Sequence, residues 1–153
     1  MNTFMGAEGF LAAASLKAVV AQRLVRRLCD NCAQPYTPDL KEKGWLESKL
    51  GSERLARIEL KHPVGCHRCN NTGYRGRIGV FELLVLNEKL SDALRREDSS
   101  DFVKFAREVP GYRPLVISAL EYAVDGITSL EEVFRVSEQI DESVDYQKVS
   151  QSA

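Results

Sequence analysis

The chain has 153 residues, of which 44% are hydrophobic and 28% are charged, and its formal net charge is -1. This length and apolar content exclude a globally disordered chain and are typical of a folded domain. The near-neutral balance argues against a dedicated nucleic-acid binder, because such domains usually carry a strong basic excess. No basic residue precedes the apolar stretch from Phe10 to Ala21, and Lys17 interrupts it. The sequence therefore predicts neither a secretory signal nor a membrane span, and a cytoplasmic location with reduced thiols is expected.

The first segment has apolar residues at both helical and strand spacing. From Leu16 to Leu28 leucine or valine recurs every four residues, whereas the run from Val19 to Val25 also fits a strand. Periodicity alone leaves both structures open. We predict a short helix from about Ala7 to Ser15, followed by a strand from about Val19 to Leu28.

The next segment begins and ends in a Cys-x-x-Cys pair and differs in composition from its neighbours. Thr37 is expected to cap a helix that has Pro38 at its first position and that ends near Gly51. A second short helix is predicted from Glu53 to Ile58. The whole segment is interpreted as an insertion bounded by the two cysteine pairs.

A strand is predicted after the second cysteine pair. Thr72 to Gly79 is rich in glycine and arginine and is expected to form a turn with unusual backbone angles. Ile78 to Leu86 is nearly continuously apolar. Because such runs are typical of strands covered on both sides, we expect this strand to be buried on both faces.

Helical patterns occupy the last third of the chain. They begin at Ser91, Ser100, Arg113 and Thr128. The last is supported by a predicted capping box between Thr128 and Glu131, and Gly126 suits a left-handed end of the preceding helix. The polar tail from Asp141 to Ala153 is expected to fray.

The four cysteines of the chain all belong to the two pairs. They are Cys29, Cys32, Cys66 and Cys69. Two thiolates at this spacing can approach one ion from a tight turn at about 2.3 Å, and two such turns make a closed tetrahedral site. The spacing favours structural zinc over an iron–sulfur cluster, whose cysteines are grouped differently. Because four thiolates leave no open position, we predict metal ligands here and no catalytic or other cofactor-binding residue.

Other interpretations of this region were weighed against zinc. Disulfides would need an oxidising compartment, and thioredoxin-like chemistry uses one Cys-x-x-Cys pair instead of two. His62 and His67 could replace a thiolate, but with four cysteines available they are interpreted as bystanders or as donors to the ligands. The basic residues Arg68, Arg75 and Arg77 could bind phosphate or nucleic acid, but pairing with neighbouring acids is the favoured interpretation.

Charge is distributed unevenly along the chain. From Lys61 to Val80 there are four basic residues and no acidic one, whereas eight acidic residues between Glu121 and Asp145 face only Arg135. We interpret the acidic run as solvated helix faces, with docking between subunits or subdomains as the alternative.

Several stretches together carry a family resemblance. They are Gly6 to Leu11, Ala21 to Cys29, Asp125 to Val133 and, above all, Gly65 to Leu84, which reads GCHRCNNTGYRGRIGVFELL. These stretches resemble the C-terminal part of the type II secretion and type IV pilus assembly ATPases. The likeness extends over nearly the whole chain up to about Val136.

The resemblance implies an α+β, mostly helical chain that carries the last strands of a RecA-like core sheet. The implied domains are a late helix and strand of that core (1–28), a zinc-binding insertion (29–69), a core strand (70–89), a C-terminal helical bundle (90–140) and a flexible tail (141–153). It also implies a hexameric cytoplasmic motor held peripherally at the inner membrane by its partners. Those partners would be the rest of the ATPase core, identical subunits and an inner-membrane platform protein.

One departure from the family qualifies the expected activity. These ATPases use a phosphate loop of the form G-x-x-x-x-G-K-[ST], and no such stretch occurs in this sequence. We expect ATP and Mg²⁺ to bind only in a full-length parent protein and this chain not to hydrolyse ATP alone. The alternative function is a free-standing zinc-ribbon protein that binds nucleic acid or a partner protein. A chaperone-type zinc module is a weaker alternative, because its repeated motifs are missing.

Overall fold

A computed structural model describes residues 9–138 of the chain and has a mixed α/β fold. Its elements in chain order are α1 (Gly9–Ser15), β1 (Ala18–Leu28), β2 (Gln34–Tyr36), α2 (Leu40–Leu50), α3 (Ser52–Leu55), β3 (Leu60–His62), β4 (Tyr74–Val85), α4 (Glu88–Arg95), α5 (Ser99–Glu108) and α6 (Leu115–Val124). A further helix, α7, begins at residue 130 and is described as far as residue 138. The tail predicted from Asp141 onward lies outside the described residues.

The strands form two separate two-stranded sheets, β1 with β4 and β2 with β3. At one end of the first sheet the Leu86 amide donates to the Lys17 carbonyl at 2.9 Å. At the other end the Cys29 amide donates to the Gly73 carbonyl at 2.9 Å, so β1 and β4 are antiparallel. The β2–β3 pair is also antiparallel. Helices combined with small antiparallel sheets confirm the α+β class, and β1 confirms the predicted first strand.

The chain divides into two compact units, as far as it is described. Within residues 9–138, the first unit comprises residues 9–22 and Phe81–Pro114, and the second comprises Arg23–Val80 and residues 115–138. The cysteine-bounded segment therefore belongs to the same unit as α6 and α7. Helices α4 and α5 belong to the other unit, with α1.

The first unit has a small apolar core. Helix α1 packs against α4, and α4 packs against α5. The core is built around Leu84, Leu90 and Ala106, with Phe102 and Phe105 packed beside them. Because α4 and α5 each present one apolar stripe, their stability depends on this shared cluster.

The second unit joins the inserted segment to the last two helices. Trp45 on α2 meets Phe134 on α7 edge to face, with ring centroids 4.9 Å apart. The guanidinium of Arg54 on α3 donates to both carboxylate oxygens of Glu121 on α6, at 3.0 and 2.6 Å. The insertion is thus held against α6 and α7 by an aromatic and an ionic contact.

The cap of α2 differs from the prediction. Asp39, and not Thr37, caps this helix: its carboxylate accepts from the Glu42 amide at 2.8 Å. The Glu42 carboxylate accepts in return from the Asp39 amide at 2.8 Å, which completes a capping box. Pro38 therefore precedes the cap, because the reciprocal bonds need residues three apart. Gly51 ends the helix as predicted, with φ at 78°.

Helices α4 and α5 begin earlier than predicted. Asn87 caps α4 and Asp98 caps α5, each through a side-chain oxygen that accepts an amide three residues ahead. The predicted starts at Ser91 and Ser100 were therefore wrong. Asparagine and aspartate are strong capping residues, so a local signal was present in the sequence.

Helix α7 is also capped by a different residue. The Ser129 hydroxyl accepts from the Glu132 amide at 3.4 Å, so the predicted capping box between Thr128 and Glu131 was wrong. The Thr128 hydroxyl instead donates to a backbone carbonyl of β1 at 2.7 Å. Gly126 has φ at 71°, which confirms the left-handed position predicted there.

Strand β4 is not buried on both faces within the described residues. Val80 and Leu84 are buried, but Phe81 and Leu83 remain 53% and 51% exposed. The strand also begins at Tyr74, earlier than the predicted start at Ile78. The side chains of β4 alternate between a buried face, with Val80 and Leu84, and a face that remains more than half exposed in residues 9–138, with Phe81 and Leu83.

Candidate metal centre

Each cysteine pair is held by a tight turn at the end of a regular element. Cys29 follows β1 directly, and the Cys32 amide donates back to the Cys29 carbonyl at 3.1 Å. In the second pair a 3₁₀ turn over His67–Cys69 lets the Cys69 amide donate to the Cys66 carbonyl at 3.2 Å. These turns point both side chains of a pair toward one place, as a two-residue spacing permits.

Two backbone pairings bring the two turns together. The short β2–β3 ladder joins the segment after the first pair to the segment before the second. The hydrogen bond from the Cys29 amide to the Gly73 carbonyl then joins the end of β1 to the start of β4. Cysteines separated by a long stretch of sequence thereby become neighbours in space.

The four sulfurs have the spacing of a tetrahedral metal site. The Cys29 and Cys66 sulfurs are 3.9 Å apart, those of Cys32 and Cys69 are 3.8 Å apart, and those of Cys66 and Cys69 are 3.7 Å apart. All four lie within 4.8 Å of one another. Sulfurs at about 2.3 Å from a common centre would be about 3.8 Å apart at tetrahedral corners. The three measured separations match the edges of such a tetrahedron, so the four thiols fit a four-thiolate ion.

Polar hydrogens surround the sulfurs and favour the thiolate form. The amides of Cys66 and Gly73 both donate to the Cys69 sulfur at 3.2 Å. Desolvation opposes ionisation, but these donors outweigh it and lower the pKa of Cys69 to about 6. The Asn31 amide donates to the Cys66 sulfur at 3.4 Å, and the pKa of Cys66 is also lowered, against desolvation.

The pKa of the Cys32 thiol shifts in the opposite direction. Desolvation raises the pKa of Cys32 to about 11, although the Gly65 amide donates to its sulfur at 3.3 Å. Thiols so close together cannot all ionise freely without a cation among them. The cluster could therefore hold a metal ion, whose charge would let all four thiolates coexist.

Backbone geometry around the site depends on glycine. Gly65 and Gly73 have φ at 110° and 76°, a region that favours residues without a side chain. A Cβ added to Gly73 would lie 2.3 Å from the Pro63 Cβ, far inside contact distance. Gly73 thus allows the close approach that carries its amide to the Cys69 sulfur.

The sequence alternatives can be compared with this geometry. All four cysteines are free thiols, so no disulfide is formed. The cluster comprises the four cysteines and, within the described residues, no histidine. His62 lies on β3 with its ring 5.7 Å from that of Tyr36, and His67 is exposed in the 3₁₀ turn.

The basic residues beside the cluster do not pair as expected. Arg68, Arg75 and Arg77 are all exposed, and in residues 9–138 none of them forms an ion pair with an acid. Gly76 between the last two has φ at 79°, which confirms the unusual backbone angle predicted there, but it lies within β4 and not in the predicted turn. Each of these three arginines exposes its positive charge to solvent.

The acidic run is not simply a solvated face. Glu132 has a side chain only 3% exposed and accepts from the Arg26 guanidinium at 2.7 and 3.0 Å. Glu121 is engaged by Arg54, as described above. Sequence analysis missed both pairs because the partners lie far apart along the chain. The one available signal was an acid in the apolar stripe around Val133, where a solvated residue is not expected.

The fold and the site together define a mixed α/β chain in which two strands lead into a four-cysteine lobe. The family model described as Type II/IV secretion system protein matches residues 2–135 of the chain. The chain therefore belongs to the type II/IV secretion system protein family. This finding confirms the resemblance drawn from the sequence.

Several characterised relatives are similar to the chain. It is 37% identical over 132 residues to the type IV pilus assembly ATPase TfpB of Acinetobacter baylyi, which covers 86% of this chain and 22% of that protein. It is 37% identical over 136 residues to the type II secretion system ATPase E of Vibrio cholerae, covering 88% of this chain and 26% of the relative. It is 37% identical over 132 residues to the type IV pilus assembly ATPase PilB of Thermus thermophilus, and the match covers 84% of this chain and 14% of that protein. The chain thus spans about a quarter or less of each relative's length.

A helix crosses a lipid bilayer only if it is both long and apolar. Among the described residues, none of the helices combines the length and the apolar character that crossing a membrane requires.

Proposed function

We propose that this chain is the C-terminal, zinc-binding portion of a hexameric ATPase that powers type II secretion or type IV pilus assembly. The observation that carries this proposal is the four-sulfur cluster, in a chain 37% identical to ATPases of both systems. In the proposed parent, β1 and β4 belong to a RecA-like core sheet. The proposed domains are those implied by the sequence: 1–28, 29–69, 70–89, 90–140 and 141–153.

The proposed metal is structural zinc, held by Cys29, Cys32, Cys66 and Cys69. A four-thiolate ion has no open coordination position, so it would supply folding free energy and no catalysis. The protein's own part is to hold the sulfurs at tetrahedral spacing and to keep them deprotonated through the amides of Cys66 and Gly73. Zinc would thus fix the lobe as a rigid surface for subunit or platform contacts.

The proposed partners are the rest of the ATPase core, identical subunits in a hexamer, and an inner-membrane platform protein. These partners would keep the protein cytoplasmic and peripheral to the membrane. The half-exposed apolar face of β4 supports the first of them, because such a face is unusual on a free-standing domain. ATP and Mg²⁺ would bind in the remainder of the parent, and no hydrolysis is expected from this chain alone.

Metal content and ATPase activity of the purified chain test the proposal. We expect one zinc per chain by elemental analysis, four thiols protected from alkylation until a chelator is added, and no ATP hydrolysis. Replacing His67 with Ala serves as the matched control, because His67 adjoins Cys66 but does not join the cluster. Absence of stoichiometric zinc, or robust hydrolysis by the purified chain, would contradict the proposal.

A second candidate function is a free-standing zinc-ribbon protein that binds nucleic acid. The observation in its favour is the exposure of Arg68, Arg75 and Arg77, which have no acidic partner in the described part of the chain. Binding to DNA or RNA should then weaken steeply with salt, because phosphate contacts release counterions. No measurable binding at low salt would remove this candidate.

A further inference from the structure

A buried polar network lies next to the cysteine cluster, and its role is not explained by packing alone. Arg26 on β1 is three residues before Cys29, and Tyr74 at the start of β4 is five residues after Cys69. The two strand ends that lead to the two cysteine pairs therefore each carry one member of the network. Glu132 on α7 bonds Arg26 through its carboxylate, and its backbone amide donates to the Ser129 hydroxyl that meets the Tyr74 hydroxyl.

Glu132 holds Arg26 through three hydrogen bonds. Its carboxylate accepts from the backbone amide of Arg26 at 2.8 Å and from the guanidinium Nε and Nη2 at 3.0 and 2.7 Å. Arg135 adds a contact of 3.2 Å to the same carboxylate. Both guanidinium nitrogens donate to Oε1 and the backbone amide donates to Oε2, so charge-assisted bonds hold the main chain and the side chain of Arg26 together. Glu132 therefore sets the course of β1 immediately before Cys29.

The carboxylate is suited to this task because it stays charged. Burial alone would raise the pKa of Glu132, but the hydrogen bonds and charge of Arg26 outweigh burial, and the net pKa is lowered. A buried ion pair of this kind holds its geometry firmly, because separating the partners would leave an unpaired charge in the interior.

The same network reaches β4 through Tyr74. The Arg26 guanidinium carbon lies 4.0 Å from the centre of the Tyr74 ring, and the Tyr74 hydroxyl is 2.7 Å from the Ser129 hydroxyl. A cation over an aromatic face is attracted by the ring's electron density. Arg26 and the cap of α7 thus hold the start of β4 as well as the end of β1.

Backbone bonds carry the constraint from the network to the sulfurs. The Leu28 amide donates to the Ile127 carbonyl at 2.9 Å, and the Cys29 amide donates to the Gly73 carbonyl at 2.9 Å. The Gly73 amide then donates to the Cys69 sulfur at 3.2 Å. A continuous path therefore joins the segment before α7 to both cysteine pairs, with no exposed side chain in it.

We propose that Arg26, Tyr74 and Glu132 are positioning residues for the metal centre, and that metal binding in turn strengthens the attachment of α7 to β1. This inference rests on the proposed zinc site and adds a coupling between that site and the last described helix. Coupling of this kind is reciprocal: whatever Glu132 contributes to metal affinity, the metal must contribute to the attachment of α7.

The test compares two neighbouring acids on α7 in the full chain. Glu132→Gln keeps the shape of the side chain but removes the charge that holds Arg26. Glu131→Gln is the matched control, because the Glu131 side chain is 61% exposed and reaches the network only through long contacts, 3.6 Å to the Arg26 guanidinium and 3.5 Å to the Tyr74 hydroxyl. Both variants change the net charge equally. Any difference between them therefore reports on the buried network and not on charge.

Metal retention is the first measurement. Zn²⁺ release to a chromogenic chelator should be about tenfold faster for Glu132→Gln than for wild type, at the lower end of the losses caused by removing partners of metal ligands. Release from Glu131→Gln should stay within about twofold of wild type, as for exposed ion pairs. The Co²⁺-loaded variant should also show altered ligand-field bands, which a general loss of stability would not produce.

Amide exchange is the second measurement, and it tests whether metal binding strengthens the attachment of α7 to β1. Adding Zn²⁺ to the wild type should slow exchange of the Leu28 amide, which bonds to the segment before α7, and this protection should shrink in Glu132→Gln. If Glu132→Gln does not fold, Tyr74→Phe decides, because it removes only the hydroxyl, with its bond to Ser129 at 2.7 Å and its long bond to Glu131 at 3.5 Å. Faster Zn²⁺ release from Tyr74→Phe than from Glu131→Gln would support the proposal.

The outcomes separate this inference from the proposed function. A wild-type chain that binds Zn²⁺ while Glu132→Gln and Glu131→Gln release it at equal rates overturns the positioning role and leaves the zinc site standing. Equal release by Tyr74→Phe and Glu131→Gln overturns it in the same way where Glu132→Gln is unfolded. A wild-type chain that binds no Zn²⁺ overturns both.

Discussion

The cysteine lobe and the α4–α5 region are held together by different interactions. The lobe buries few apolar side chains, chiefly Leu46 and Leu60, and depends on turns, ion pairs and four converging thiols. The α4–α5 region has no such cluster among its described residues and depends on Leu90 and its aromatic neighbours. The difference shows two ways to stabilise a small structure: one through coordination geometry, the other through apolar packing.

The largest expected effect is the loss of a cysteine from the lobe. Cys66→Ser should abolish tight metal binding and disorder the Cys29–Cys69 segment, because structural zinc can supply on the order of 10 kcal/mol of folding free energy. Protection of α6 and α7 from amide exchange should fall as well, since they contact the lobe, whereas α4 and α5 should keep theirs. Full metal content and an unchanged melting curve would show that Cys66 is not a ligand.

The matching change in the other region is the truncation of its central leucine. Leu90 is fully buried, so Leu90→Ala should lower the free energy of unfolding of that region by about 2–5 kcal/mol. Val103→Ala is the control, because Val103 is 52% exposed on the neighbouring helix. Metal affinity should stay the same in both variants. A Leu90→Ala variant that loses zinc would break the distinction between the two regions.

Two glycines on either side of Tyr74 and Arg75 offer a sharper test of how the lobe is built. Gly73 and Gly76 have nearly equal φ, at 76° and 79°, but an added Cβ would strike Pro63 at the first and meet open space at the second. Gly76→Ala should lower the free energy of unfolding by about 1 kcal/mol through backbone strain alone. Gly73→Ala should lower the free energy of unfolding by a further amount of about 1–3 kcal/mol, because the added Cβ overlaps Pro63, and it should also weaken metal binding. Equal effects in denaturant unfolding would mean that the contact with Pro63 is unimportant.

The smallest expected effect is a pH dependence in the metal-free chain. The pKa of Glu132 is lowered from its usual 4.5, so the ion pair stabilises the folded state above pH 4.5. This contribution should disappear as the pH falls from 4.5 through the lowered folded-state pKa. Melting temperatures of wild type and Glu132→Gln should therefore converge in acid and differ near neutral pH. A constant difference across the range would exclude the charge of Glu132 as the cause.

Much of the candidate site could be predicted from sequence. The Cys-x-x-Cys spacing identified all four thiols, because the turn that gathers each pair is local and depends on two intervening residues. The first strand and the glycine positions were also predictable, since apolar runs and left-handed turns are specified by neighbours along the chain. Helix starts were less accurate, because Thr37 and Asp39, or Thr128 and Ser129, are all capable caps and packing selects between them.

The buried ion pair was not predictable in the same way. Arg26 and Glu132 are 106 residues apart, and nothing local in either segment specifies the other. The burial of β4 was overestimated. Its apolar sequence suits a strand covered on both faces, but in the described residues the face that carries Phe81 and Leu83 remains more than half exposed.

By itself, the sequence determined that four thiols occur in two Cys-x-x-Cys pairs with the spacing of metal ligands, that the chain is α+β, and that it resembles the secretion and pilus ATPases. These properties depend on spacing and composition, which a single chain displays directly. Only the tertiary structure decided that the sulfurs lie within 4.8 Å of one another, and that α7 is joined to the strand preceding Cys29. Such contacts form between distant segments, where burial and charge pairing in three dimensions select the partner.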